Sequence, residues 1–137
     1  MKRGIEKAAV LGAGTMGARI AAHLANAGVP CLLLDRVPPG LSAEAPAGER
    51  NRIARAGFQA AKESRPAAFF HPSFAGRVTL GNSEDDLVRL GEADWIIEAV
   101  AEDLAVKRQL LEHVAKHCKP GAMVTTNTSG LPVRLIA

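Results

Sequence analysis

AVLGAGTMGARIAAHLANAGVPCLLLD, residues 9–35, decides the fold. Residues 7–11, KAAVL, form a short apolar run, and glycines follow it. A helical pattern then runs from about Thr15 to Ala27. Gly28 stops that helix in the C′ position, where only glycine adopts the left-handed backbone freely, and Pro30 comes after it. Residues 31–34, CLLL, are a second unbroken apolar run, ending at Asp35. Unalternated apolar runs mark strands covered on both faces, as in parallel sheets.

Outward from this unit the pattern repeats. Three of the eight prolines, Pro38, Pro39 and Pro46, fall in residues 37–48 and predict a loop. A helix is expected over Glu49–Ser64, with Ile53, Gly57 and Ala60 or Ala61 on one face. Residues 78–80, VTL, read as a third strand, and Ser83-Glu84-Asp85-Asp86 as a capping box opening a short helix that ends at Gly91. WIIEAV, 95–100, is a fourth strand, Leu104 to about His117 a helix, and AMVTT, 122–126, a fifth strand. Strands alternating with helices specify an α/β fold, a Rossmann-type doubly wound, mostly parallel sheet with helices on both faces.

Gly12-Ala13-Gly14-Thr15-Met16-Gly17 is a G-x-G-x-x-G set between a strand and a helix, and Asp35 ends the next strand 18 residues after Gly17. Gly12 permits the tight turn, Gly14 lets a pyrophosphate approach the backbone, and Gly17 lets helix and strand pack closely. The helix N-terminus offers free N–H groups to the anion. Ala18 and Arg19 stand where a Walker loop needs Lys and Ser/Thr. Asp35 is positioned to accept from the adenosine ribose hydroxyls, which favours NAD over NADP, although Arg36 beside it offers a partner to a 2′-phosphate. The plainer alternatives are a strand–helix turn that binds nothing and a surface Asp at a strand end.

The totals narrow the class. The 137 residues are one domain's worth of chain, 47% hydrophobic and 23% charged, an ordinary globular composition. The net charge of +3 is spread along the chain without a basic block and interleaved aromatics, so nucleic acid is not an expected partner. No apolar run reaches membrane-span length, and glycines interrupt the N-terminal stretch before any signal-peptide core forms. Cys31 and Cys118 match no metal or disulfide spacing, so no metal is expected and the thiols read as reduced, in a soluble cytoplasmic protein.

In open parallel sheets ligands bind beyond the carboxyl ends of the strands. Besides the glycine loop and Asp35, that rule selects Ala99, Val100 and Glu102 after the fourth strand, and Asn127-Thr128-Ser129 after the fifth. Asn127 and Ser129 either orient a substrate oxygen or cap the helix that follows. Glu102 either favours the next helix dipole or contacts the nicotinamide ribose. Lys107 sits in a first helical turn, where a cation is unfavourable. Either it pairs with Asp103 at i, i+4, or it leans back along the helix to the cofactor edge.

AVLGAGTMGARIAAHLANAGVPCLLLD, GNSEDDL, ADWIIEAVAEDLAVK and TTNTSG, in that order, resemble the NAD-binding domain of the L-3-hydroxyacyl-CoA dehydrogenases. The likeness covers nearly the whole chain, and residues 50–82 look most like the bacterial fatty-acid β-oxidation members. The resemblance implies that Gly12 to Gly17 hold the pyrophosphate and Asp35 the adenosine ribose. It puts Glu102 and Lys107 near the nicotinamide half, beside the Ala99 and Val100 that the strand-end rule selects for the cofactor, and Ser129 between cofactor and acyl-CoA. It implies oxidation of a 3-hydroxyacyl-CoA to the ketone with hydride transfer to NAD.

The family's catalytic His and its orienting Glu are expected in an H-F-x-x-P stretch beyond the N-T-S motif, outside residues 1–137. His71, in FFHPSF, precedes the fourth strand and reads as a turn residue. The chain is therefore expected to be an NAD-binding domain lacking its helical substrate and dimerisation domain, inactive alone. A homo-oligomer is compatible with the full-length protein. Arg50, Arg52, Arg55 and Lys62 are candidates for coenzyme A, with a solvated basic face as the preferred reading. A hydroxyacid dehydrogenase of another substrate class and a non-catalytic NAD-sensing module are the alternatives.

Overall fold

The structure is a computed structural model and describes residues 4–101 and 103–127. Glu102, Thr128, Ser129 and the helix expected after them lie outside the described residues.

Five strands, β1 (Ala8–Leu11), β2 (Cys31–Asp35), β3 (Val78–Asn82), β4 (Trp95–Glu98) and β5 (Met123–Thr126), form one sheet in the order β3-β2-β1-β4-β5. Every neighbouring pair is parallel. Leu11 lies level with Leu34 on one side and Glu98 on the other, so the chain leaves β1, β2 and β4 along a common edge. The strand order reverses beside β1, which places the crevice of a doubly wound sheet there.

The unbroken apolar runs serve two cores. Ala8, Val10, Cys31, Leu33 and Ile97 face one layer, which holds α1 (Thr15–Asn26) and α3 (Arg52–Glu63). Ala9, Leu11, Leu32, Leu34 and Ile96 face the other, against Leu87, Leu90 and Val114 of the 3-10 segment Leu87–Glu92 and of α4 (Leu104–His117). α1 presents Ala18, Ala21, Ala22 and Ala25 to the sheet, and these small side chains let it lie close. It ends in a Schellman motif: the Val29 N–H donates to Leu24 O and the Gly28 N–H to Ala25 O, with Gly28 at φ +86°. Cys31 and Cys118 are free, and burial pushes the Cys31 thiol up to about 12, so it is an inert core side chain.

Three expectations need correction. The helix expected over 49–64 is two helices, α2 (Ala47–Arg50) and α3, turning at Asn51 (φ −93°, ψ 11°). The Asn51 side chain accepts from Asn82 Nδ2 at 2.7 Å, a tertiary bond that helix periodicity does not encode. The Ser83 capping box is displaced by one residue. Asn82 Oδ1 takes the Glu84 and Asp85 N–H groups, Asp86 accepts from the Asn82 N–H, and a 3-10 segment follows. β4 ends at Glu98, two residues short of the expected bound, and the Ala99 N–H that follows donates to Leu11 O at the foot of the glycine loop. His71 is a turn residue as expected, capping the 3-10 segment Pro72–Arg77 by accepting from the Ser73 N–H.

Candidate cofactor cleft

Gly12 follows β1 at φ +107°, and a Cβ there would lie 2.6 Å from Ala99 O. A Cβ at Gly17 would lie 1.7 Å from Gly12 O, so the first turn of α1 closes onto the loop only because that atom is missing. Gly14 is different. Among the described residues, nothing beyond its own chain neighbours comes within 4 Å of its would-be Cβ, and it is exposed at the N-terminus of α1. No side chain caps α1 and no acid sits in its first turn, which leaves its positive end open to an anion.

Behind the loop, Gly57 of α3 performs a service that the sequence reading placed on an apolar face without further meaning. A Cβ there would lie 1.8 Å from Ala13 O, so α3 rests directly on the loop backbone. Ala13 is buried, and its N–H donates to Asp35 Oδ2 at 2.7 Å. Asp35 Oδ1 accepts from the Arg36 N–H at 2.6 Å. The half-buried acid is thus fixed by two backbone donors at the lip of the cleft.

The opposite wall depends on Glu98, a residue missed in the sequence except as a lone acid inside an apolar strand. It is fully buried, and Lys107 is 1% exposed. Lys107 Nζ donates to Glu98 Oε1 (3.0 Å), Glu98 Oε2 (2.9 Å) and Val100 O (3.0 Å), so its three protons match three acceptors. Glu98 also accepts from the Val100 N–H at 2.7 Å and Thr126 Oγ1 at 2.6 Å, and its own carbonyl accepts from the Asn127 N–H at 2.8 Å. Of the two readings of Lys107, the i, i+4 ion pair with Asp103 is not formed. Asp103 instead caps α4 by accepting from the Val106 N–H at 3.1 Å. The helix-charge rule is broken at Lys107 because Glu98 supplies the countercharge from the strand.

These parts surround an open cleft of about 1220 Å³. Gly12, Gly14, Thr15, Met16, Asp35, Ala99, Val100, Lys107 and Asn127, all named from the sequence, line it, with Ala13 and Gly17 forming its backbone support. α4 adds Val106, Leu110 and His113, and the segment after β3 adds Ser83 and Glu84. The α4 residues stand at i, i+4 and i+7, a stripe that helical periodicity could have found. A turn of glycines at an open helix end, a fixed carboxylate and a half-buried apolar shelf at Ala99–Val100 fit a dinucleotide.

Arg50 does not belong to a solvated basic face. It is 3% exposed and paired with Asp85 (2.8 Å) and Glu84 (2.7 Å), while Arg52, Arg55 and Lys62 remain exposed. Hydrogen bonds from Arg50 and Asn82 hold the Asp85 carboxyl below its usual range.

The family model described as "3-hydroxyacyl-CoA dehydrogenase, NAD binding domain" matches residues 7–137. The chain belongs to this family. A dehydrogenase-family relative in Deinococcus radiodurans, named as a 3-hydroxyacyl-CoA dehydrogenase, is 49% identical across 96% of this chain and 36% of its own length. One of the same name in Bacillus subtilis is 43% identical across 100% of this chain and 18% of its own length. The crystal structure of 3-hydroxybutyryl-CoA dehydrogenase from Escherichia coli superposes with a TM-score of 0.70 at 32% identity, over 98% of this chain and 27% of that one. The chain thus spans about a third or less of these dehydrogenases. NAD is the cofactor of the family's domain.

Proposed function

We propose that the chain is the cofactor half of an NAD-dependent L-3-hydroxyacyl-CoA dehydrogenase acting in fatty-acid β-oxidation, converting the 3-hydroxyl of an acyl-CoA to a ketone. The observation that carries this reading is the coincidence, in one cleft, of the open α1 N-terminus, the anchored Asp35 and the Ala99–Val100 shelf, in a chain matched from residue 7 to 137 by the family. NAD supplies the hydride acceptor when bound.

The chain's own residues bind and orient. The N–H groups at the start of α1 receive the pyrophosphate, with Gly14 leaving room for it. Asp35 accepts from the adenosine ribose. Ala99, Val100, Glu102 and Lys107 serve the nicotinamide half, Lys107 chiefly by fixing the Val100 carbonyl. Asn127 and Ser129 orient the substrate oxygen between cofactor and acyl-CoA. No H-F-x-x-P stretch occurs among the 137 residues, so proton abstraction belongs to a longer polypeptide, and this chain alone binds NAD with little or no turnover. The acyl-CoA partner, a homo-oligomeric full-length protein and a cytoplasmic location with both thiols free belong to the same proposal. Among the described residues, no helix is long and apolar enough to cross a membrane.

The test is an equilibrium titration with NADH and NADPH followed by cofactor fluorescence. Selective NADH binding is expected. Its weakening by about tenfold or more in Asp35→Ala would correspond to loss of roughly 1.4 kcal/mol or more. Preference for NADPH in the unaltered protein would refute the ribose role of Asp35.

A further inference from the structure

The lip of the cleft beyond Asp35 carries a second charged group, built as firmly as the first. Asn82, 1% exposed at the end of β3, shapes the loop that follows. Its Oδ1 accepts from the Glu84 N–H (2.9 Å) and the Asp85 N–H (2.7 Å), and its Nδ2 donates to Asn51 Oδ1 (2.7 Å) and Asp85 Oδ2 (2.9 Å). Arg50 is buried beneath the same loop. Its Nε donates to Asp85 at 2.8 Å, one terminal nitrogen to Glu84 at 2.7 Å and Asp85 at 3.0 Å, and the other to Ser42 O at 2.7 Å.

Two carboxylates face one guanidinium, which leaves one negative charge over. The Arg50 side chain is 4% exposed, that of Asp85 48% and that of Glu84 64%; Asp85 takes two hydrogen bonds from Arg50 and one from Asn82 and Glu84 only one, so the surplus falls mainly to Glu84. Glu84 and Ser83 both line the cleft. The Ser83 N–H donates to Asp35 O at 2.9 Å, which sets this loop directly beside the ribose acid. Arg36 lines the same lip. A guanidinium is a good partner for phosphate, and one carboxylate at Asp35 merely balances it.

We propose that Glu84, held by Arg50, is a specificity-determining residue that tips the adenosine lip against a 2′-phosphate and so selects NAD over NADP. The inference rests on the dinucleotide reading of the cleft. Its warrant is charge balance: Asp35 and Arg36 together leave the lip nearly neutral, and Glu84 makes it negative. Because Glu84 is exposed, its effect is modest and screened by salt. A single exposed carboxylate near a phosphate alters relative affinity by about threefold to tenfold.

The experiment titrates the unaltered chain and Glu84→Gln with NADH and with NADPH, at low ionic strength and at about 0.5 M salt. Gln retains an oxygen that can accept from Arg50, so the loop keeps its anchor. The expected result is a NADPH affinity raised about threefold to tenfold relative to NADH, NADH affinity within about twofold, and a smaller gain at high salt. An unchanged ratio, with NADH still bound, overturns the proposal. Equal weakening of both cofactors also overturns it, since Glu84 would then only support the loop. If the unaltered chain binds neither dinucleotide, the cofactor reading falls and takes this one with it.

Discussion

Lys107 and Glu98 are the pair on which the β4 side of the cleft depends, and both are removed from water. Burying two charges is tolerable only when each answers the other, and removing one partner strands the second. Lys107→Met is therefore expected to destabilise the chain by about 3–5 kcal/mol, read as a lowered urea midpoint, with Glu98→Gln in the same chain restoring part of the loss. A cost below about 1 kcal/mol would mean that the pair contributes no more than an exposed ion pair does. The anomaly was visible in the sequence, because a cation at a helix start asks for an explanation. Its partner was not, because nothing in local spacing joins residue 107 to the end of a strand nine residues earlier. Asp35 was legible for the opposite reason: strand end, glycine loop and acid stand at a spacing fixed by the βαβ unit itself.

At the level of elements, the glycines divide into those the fold needs and one the ligand needs. Ala in place of a mid-helix Gly ordinarily stabilises by about 0.5–1 kcal/mol. Gly57→Ala is expected to do the reverse, costing about 1–3 kcal/mol because the new methyl would strike the Ala13 carbonyl at 1.8 Å. Gly14→Ala meets nothing within 4 Å among the described residues beyond its chain neighbours, so its thermal midpoint should stay close to that of the parent while NADH binding weakens. Thermal melts of the two variants beside NADH titrations check both outcomes, and a stabilised Gly57→Ala would contradict the contact between α3 and the loop. Periodicity and caps located β1 to β5, α1 and α4 to within a residue or two. They failed at Asn51 and Ser83 because a side chain from another element, Asn82, decides both turns.

Across the whole molecule, the edge opposite the cleft is tied by Asp94. It accepts from the N–H groups of Glu6 and Lys7 before β1 and from the Lys119 ammonium after α4. The Lys119 hydrogen bond, followed by those two N–H groups, lowers its carboxyl pKa to about 2. A depressed carboxyl means that the unfolded chain takes up the proton first. The stability Asp94 contributes is thus present above about pH 4 and lost as pH falls toward about 2. Urea midpoints measured between those values should fall less steeply for Asp94→Asn than for the parent, and equal slopes would assign acid unfolding to other carboxylates. The doubly wound architecture and the place of the cleft were readable because both follow from chain order. The α4 stripe was open to helical periodicity but was overlooked, and the Arg50 clasp was not readable, since it arises from packing between distant segments. At this scale Gly57 also has a mechanical meaning. α3 bears on the carbonyl of Ala13, and the amide of that residue grips Asp35. Any shift of α3 would therefore rock the phosphate-binding turn and the ribose acid together, as two arms of one lever.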